Sequence, residues 1–317
     1  MPLDTTIIAA VPETVPGTRQ APSLATNALT VFGFNPVPIQ SSEVRRAIDV
    51  PFPGRRPSLK TGVHARVPFS VELSGAGTAA GVPFWAALLR GCMFGASVPN
   101  GVIDCAHPLA SVGDGGALSI DWWKDNARQQ LFGARGNAVF DFTEKQLPSI
   151  AFDLLGLIVA GVPVQANTAG AVTLPTYPAP VEVNLANTAI TLDGFTLGCR
   201  SFNLDLGMKT TLYSTTGSRS IIFDKAEDGD RRSAGGTLVA ELPDPSVKNY
   251  FADTLAGTPR TFTLTHGTVA GNIIEISTSV FVPTDITFSV ESNRLFMNMP
   301  FALPPTAAGN DFALKTK

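Results

Sequence analysis

Apolar and polar residues alternate along most of this chain. Val67, Phe69, Val71 and Leu73 fall on one face of an extended segment, with Ser70 and Glu72 on the other. Leu238, Ala240 and Leu242 alternate with Val239 and Glu241 in the same way, as do Phe262 and Leu264 with threonines. Ile286, Phe288 and Val290 alternate with Thr287, Ser289 and Glu291. A period of two predicts half-buried strands, as in a sandwich or barrel. Between Cys199 and Phe202 the apolar parity switches, which predicts a β-bulge. Helical spacing is confined to two short segments. Val82–Gly91 carries Phe84, Trp85, Leu88 and Leu89, with Gly91 as its stop. Asp244–Gly257 has Asp244 as N-cap, Pro245 at the first position and Gly257 at the left-handed end. Val247, Tyr250, Phe251 and Leu255 then form its packing stripe.

The two helical segments follow similar strands, which points to a repeat. Glu72 matches Glu241 at an offset of 169, and Phe84 matches Tyr250 at 166. The halves rejoin at Gly136-Asn137 and Gly271-Asn272, offset 135, so the first half carries an additional loop and a strand around Ala117–Trp123. The expected organisation is an extended N-terminal arm over 1–28 that orders against a partner, a first domain over 29–164, a Pro-rich linker over 165–181 and a second domain over 182–317. A long charged connection separates early strands in each half, Ser42–Arg66 and Thr215–Gly235.

Composition narrows the function classes. With 23 basic and 26 acidic residues, the chain has no footprint for tight nucleic-acid binding. Charged residues are 15% and mean hydropathy is +0.18, so an isolated subunit has little polar surface and burial against other subunits is favoured. Cys92, Cys105 and Cys199 form no CxxC and read as reduced apolar fillers. No basic segment precedes the first apolar stretch, so no secretion signal is expected. The longest apolar run, Leu154–Val164, is too short to cross a bilayer, and no membrane insertion is expected.

Candidate chemistry is sparse. Gly75-Ala-Gly77-Thr-Ala-Ala-Gly81 follows a strand and precedes a helix, but it has one residue too many for a dinucleotide loop and reads as a turn. His64, His107 and His266 lack metal-ligand spacing, and no nucleophile elbow is present. Asp121, Asp141, Asp153, Glu275 and Glu291 sit in predicted strands, where outward-facing positions explain them without a catalytic pair. The chain therefore reads as a part that assembles, not an enzyme, with no metal or other cofactor.

Four stretches together resemble the major tail tube proteins of long-tailed, non-contractile bacteriophages. They are Val71–Cys92, Leu131–Asn137 with the strand pair running to Ile158, Asp193–Leu206, and Ala252–Ile276 around Leu264-Thr-His-Gly-Thr-Val-Ala-Gly-Asn272. The resemblance runs from about residue 29 to the C-terminus and rests on order and spacing. It implies a mainly β fold: two tandem tail-tube β-sandwich domains, each with a short flanking α-helix, whose inner sheets join into a ring-closed β-barrel. It also implies a structural virion protein that forms the tail tube as stacked rings, a passive conduit for DNA ejection. The expected partners are further copies of the chain, in a pseudo-sixfold trimer or alternatively a hexamer, and the tape measure, tail terminator and distal tail proteins. Genomic DNA would pass without specific binding. Assembly is expected in the host bacterial cytoplasm, giving a virion tail. A β-rich receptor-binding or adhesin-like virion protein is the alternative.

Two residue sets follow from that reading. Arg45, Arg46, Arg55 and Arg56 on one charged connection, and Asp224, Glu227, Asp228, Asp230, Arg231 and Arg232 on the other, are candidates for contact between rings. Glu72, Asp141, Glu241, Glu275 and Glu291 are candidates for a net acidic channel lining.

Overall fold

The computed structural model describes residues 6–49, 51, 53–79, 81–95, 101–103, 116–159, 163–167, 174, 176–224, 232–291, 293–306 and 310–317. The first half runs through β1 (Thr6–Pro12), α1 (Leu24–Asn27), β2 (Ala28–Leu29), β3 (Val37–Arg45) and β4 (Ser58–Glu72) to a 3₁₀ segment, Phe84–Cys92. It continues with β5 (Val102–Ile103), β6 (Leu118–Lys124), β7 (Ala127–Thr143), β8 (Ser149–Ile158) and β9 (Gln165–Ala166). The second half opens with β10 (Thr188–Leu192), β11 (Phe195–Thr196), β12 (Cys199–Asp205), β13 (Lys209–Ser214), β14 (Arg219–Asp224) and β15 (Gly235–Glu241). After α2 (Tyr250–Ala256) come β16 (Arg260–His266), β17 (Ile274–Pro283), β18 (Thr287–Glu291), β19 (Arg294–Ala302) and β20 (Ala313–Thr316). The protein is mainly β and sandwich-like.

One antiparallel sheet spans both halves in the order β3-β4-β8-β7-β12-β15-β19-β18, so each half supplies four consecutive strands. The halves meet where β7 pairs with β12, matching Thr143 with Ser201, Phe142 with Phe202, Asp141 with Asn203, Phe140 with Leu204 and Val139 with Asp205. Strand alternation places Leu238, Ala240, Phe140, Phe142, Val67 and Phe69 on the buried face of this sheet. A second layer covers that face. In the first half it comprises β2, β1, β6 and the N-terminal part of β7, and in the second β11, β10, β16, β17 and β20, with β5 of the first half added at the β20 edge. Across the layers Phe202 stacks on Phe262 and Phe301 on Phe281, at centroid distances of 4.9 and 4.4 Å. Such ring pairs contribute about 0.5–1.5 kcal/mol beyond the area they bury.

Several expectations hold at the level of side chains. Val67, Val71 and Leu73 are fully buried, Phe69 nearly so, and the β12–β15 register shifts between Cys199 and Ser201 where the bulge was expected. Others need correction. Thr6–Pro12, expected in an extended arm, pairs along its whole length with β6 of the same chain and buries Ile8, Ala9 and Ala10. Glu13 then anchors this segment by accepting from Ser119 Oγ (2.8 Å) and the Gly133 amide (2.7 Å). The strand around Ala117–Trp123 is part of that second layer, pairing with β1 and β7, as β16 pairs with β10 and β17. Gly136-Asn137 lies inside β7, whereas Gly271-Asn272 precedes β17, so the two glycines do not correspond. In the second helical segment Asn249, not Asp244, is the cap, accepting from the amides of Phe251 and Ala252. With the helix starting there, Tyr250 packs inside while Val247 and Leu255 stay exposed.

Candidate assembly and channel surfaces

Among the described residues no further strand layer covers the face of the eight-strand sheet opposite the core, where polar side chains stand among apolar ones such as Val139, Val239 and Phe296. One row crosses it as Thr237, Asn203, Asp141, Ser149 and Glu72, each directly opposite the next. Asp153, Asp205, Glu241 and Glu291 share this face by strand parity. Three arginines answer three of the six carboxylates. Arg66 forms a bidentate pair with Asp153 at 2.7 and 2.6 Å, Arg294 reaches Glu241 at 2.7 Å, and Arg200 contacts Glu291. Asp141 accepts from Thr143 Oγ1 at 2.7 Å, and Asp205 accepts from Asn137 Nδ2 and the Gly207 amide. Of these six carboxylates, Glu72, Asp141 and Asp205 have no cation partner among the described residues. Of the expected acidic lining, Glu72, Asp141, Glu241 and Glu291 lie here. Glu275 does not: it sits on β17 in the other layer, paired with Lys317.

The carboxylates that invited a catalytic reading have structural partners. Asp121 is buried between Arg19 (2.9 Å) and Arg128 (2.8 Å), which explains an ionised group at 1% exposure. Among the described residues no group of three or more His, Cys, Asp or Glu could hold a metal ion, and no helix is long and apolar enough to cross a membrane. Burial pushes the Cys92 thiol up and the Cys199 thiol up to about 12, leaving both as protonated, unreactive groups. Cys105 and His107 lie outside the described residues.

The glycine-rich stretch packs on the other half of the chain. The Gly75 amide donates to Asn272 Oδ1 (2.7 Å) and the Gly77 amide to Gly271 O (2.9 Å). A Cβ on Gly75 would stand 2.2 Å from Gly271 O, so the glycine is required for two backbones to approach.

The described parts of the two charged connections include the β3–β4 and β13–β14 hairpins. In β3–β4, Arg45, Arg46, Arg55 and Arg56 are all exposed at the far end, where Arg55 pairs with Glu43 (2.9 Å) and Arg56 lies 3.6 Å from Asp49. The β13–β14 hairpin folds back on the first half: Arg135 Nη1 donates to Ile221 O (2.9 Å), and its guanidinium lies 5.4 Å from the Phe223 ring centroid. Asp224, at the end of β14, is exposed, and Glu227, Asp228, Asp230 and Arg231 lie outside the described residues. Arg232 departs from the expected surface role. Its guanidinium is fully buried, 2.7 Å from Asp311, and is enclosed by the rings of Phe94 and Phe312. Aromatic faces accept the delocalised cation, so the residue ties the two halves together from inside.

A β-rich chain whose broad sheet carries a cross-strand row of polar and acidic side chains, with no metal-ligand cluster among the described residues, matches an assembly part more than a ligand-binding site. Comparison with protein families decides the matter: the family described as "Phage tail tube protein" matches residues 4–311. The chain belongs to that family. It is a structural tail tube protein that self-assembles into a tube with other tail proteins and resides in the virion tail. The receptor-binding alternative is not favoured by this match. No individually curated protein matches the chain.

Proposed function

We propose that three chains close into one ring of the tail tube, each chain contributing two tandem tail-tube units. The observation that carries this reading is the strand order. The first four strands, β3-β4-β8-β7, and the second four, β12-β15-β19-β18, are built by the same succession of chain segments. In each unit the second strand to form, β4 or β15, lies between the first strand and the last-formed one. Two four-strand units joined side by side supply a third of a six-unit circle, and cyclic symmetry closes it with three chains. β3 and β18 stand at the two ends of the sheet with one strand partner each among the described residues. Such edges are an aggregation hazard unless another copy covers them.

In this ring the open acidic face lines the channel. The carboxylates of Glu72, Asp141 and Asp205 keep DNA phosphates from binding, since every neutralised phosphate would release counterions and add affinity. The result is a passive conduit for ejection. The exposed tip of the β3–β4 hairpin, with Arg45, Arg46, Arg55 and Arg56, reaches the adjacent ring and meets acidic residues from the 224–231 connection. Tube ends contact tail terminator and distal tail proteins, the lumen holds the tape measure during assembly, and polymerisation takes place in the host cytoplasm. A symmetry-resolved electron-microscopy image of tubes from the purified protein tests the ring: three chains per ring are expected, and six chains per ring refute the arrangement.

A further inference from the structure

The seam between the two halves has a counterpart with one side missing. At the internal seam Phe140 and Phe142 of β7 are 0% and 1% exposed, covered by Leu204 and Phe202 of β12 directly opposite. The corresponding residues at the far end of the sheet follow from register alone. Glu72 pairs with Ser149 and Ser149 with Asp141, while Glu241 pairs with Phe296 and Phe296 with Ser289. Ser289 therefore occupies the place of Asp141, Phe288 that of Phe140 and Val290 that of Phe142. Yet Phe288 is 54% and Val290 71% exposed. Their apolar alternation is that of a buried strand, and within this chain no strand covers it among the described residues.

The opposite end holds the matching half. Asn203 pairs with Thr237 on β15, and the Asn35 amide donates to Pro68 O on β4 (3.3 Å). Thr237 and Pro68 correspond at the same offset of 169 that joins Glu241 to Glu72, so Asn35 occupies the place of Asn203. The sequence agrees, since Phe34-Asn35 repeats as Phe202-Asn203. Phe34 and Pro36 are each half-buried, where Phe202 is 1% and Leu204 0% exposed.

We propose that β18 of one chain pairs antiparallel with the Phe34–Pro36 segment of a second copy of this chain, in the register of the internal seam. Val290 then lies opposite Phe34, Ser289 opposite Asn35 and Phe288 opposite Pro36. The apolar residues on either side cover one another on the core face, and Ser289 and Asn35 continue the polar row of the open face. Pro36 brings no N–H, so this seam has one backbone donor fewer than the internal one. That proline also keeps the edge from accepting arbitrary strands before assembly. The proposal rests on the tube reading and adds the surfaces and register by which copies meet.

The register makes the test specific. In the internal seam the Glu144 amide donates to Arg200 O and the Leu206 amide to Ala138 O, at 2.7 and 3.2 Å. Asp141 and Asn203 thus form a narrow, non-hydrogen-bonded pair, with Cα atoms about 4.5 Å apart, within disulfide range. The Asn35→Cys/Ser289→Cys variant is assembled into tubes, oxidised and run on a non-reducing gel. Expected is a ladder of covalently linked chains that ends at three, while each single variant stays unlinked. Asn35→Cys with Thr287→Cys or with Glu291→Cys, slipped by two residues, should crosslink far less. Tubes that form without a 35–289 crosslink, or that link preferentially through a slipped pair, overturn the seam and leave the tube reading standing. A ladder ending at six retains the seam and overturns the three-chain ring. A wild-type chain that stays single under assembly conditions overturns both. Val290→Glu provides a second arm: its melting temperature as a single chain should match wild type while tube formation is lost. Normal tubes from Val290→Glu also overturn the proposal.

Discussion

Reversing charge on the open face tests whether that face meets DNA. Glu72 and Asp141 flank Ser149 in one cross-strand row, and among the described residues neither has a cation partner as Glu241 or Glu291 does. Replacing both with lysine leaves the buried side of the sheet untouched. The loss in stability is confined to the hydrogen bond from Thr143 to Asp141, about 1 kcal/mol, so the variant should fold and polymerise. The electrostatic change is larger. Two lysines per chain place about six in a ring of three, and a site making about six phosphate contacts loses roughly 10³-fold in affinity between 50 and 200 mM salt. Genome release from virions carrying Glu72→Lys/Asp141→Lys should therefore be slowed at 50 mM salt and recover towards wild type at 200 mM. Wild-type release should depend little on salt over this range. Wild-type rates from the variant at 50 mM, with the variant chain confirmed in the tubes, would refute the placement of this face in the channel.

Further predictions concern the joints of the subunit. Asp311→Ala should destabilise the single chain by about 3–5 kcal/mol in urea unfolding, because the buried Arg232 guanidinium loses its carboxylate; pairing Arg232→Met with Asp311→Leu should restore most of it, and equal losses in both variants would refute the assignment. Gly75→Ala should cost about 1–3 kcal/mol by the same assay, since its methyl meets Gly271 O. Burial holds the His266 pKa below its ordinary 6.5, opposed in part by the hydrogen bond to Val181 O. The unfolded chain then binds more protons between the folded value and 6.5, so the neutral ring's contribution is complete above 6.5 and lost as pH falls towards the folded value. Unfolding midpoints should drop from pH 7 to pH 5, and His266→Gln should flatten that dependence; an unchanged slope in the variant would exclude His266 as its source. Arg45→Glu/Arg46→Glu should leave rings intact but shorten tubes, measured by electron microscopy, and full-length tubes would remove these residues from ring stacking.

Much of the architecture was legible because strands leave a period of two that survives in sequence. Val67–Leu73, Leu238–Ala240 and Phe262–Leu264 bury the residues that alternation selects, and the parity switch after Cys199 marks a real bulge. The matched segments ending in Glu72 and Glu241 both form strands, β4 and β15, that lie second in their half of the sheet. What sequence could not supply was pairing, because any alternating strand can lie beside any other. Thr6–Pro12 reads as a loose arm until β6 is placed against it. Arg232 reads as one charge in a solvated run until Phe94, Asp311 and Phe312 close around it from distant parts of the chain. Glu275 and Glu241 have the same alternating context, and the layer each belongs to is set by which strands pair. The exposed Phe288 and Val290 combine both lessons. Their alternation demands burial, and the tertiary structure alone shows that the covering strand is not found among the described residues of this chain, because β18 is where the sheet ends.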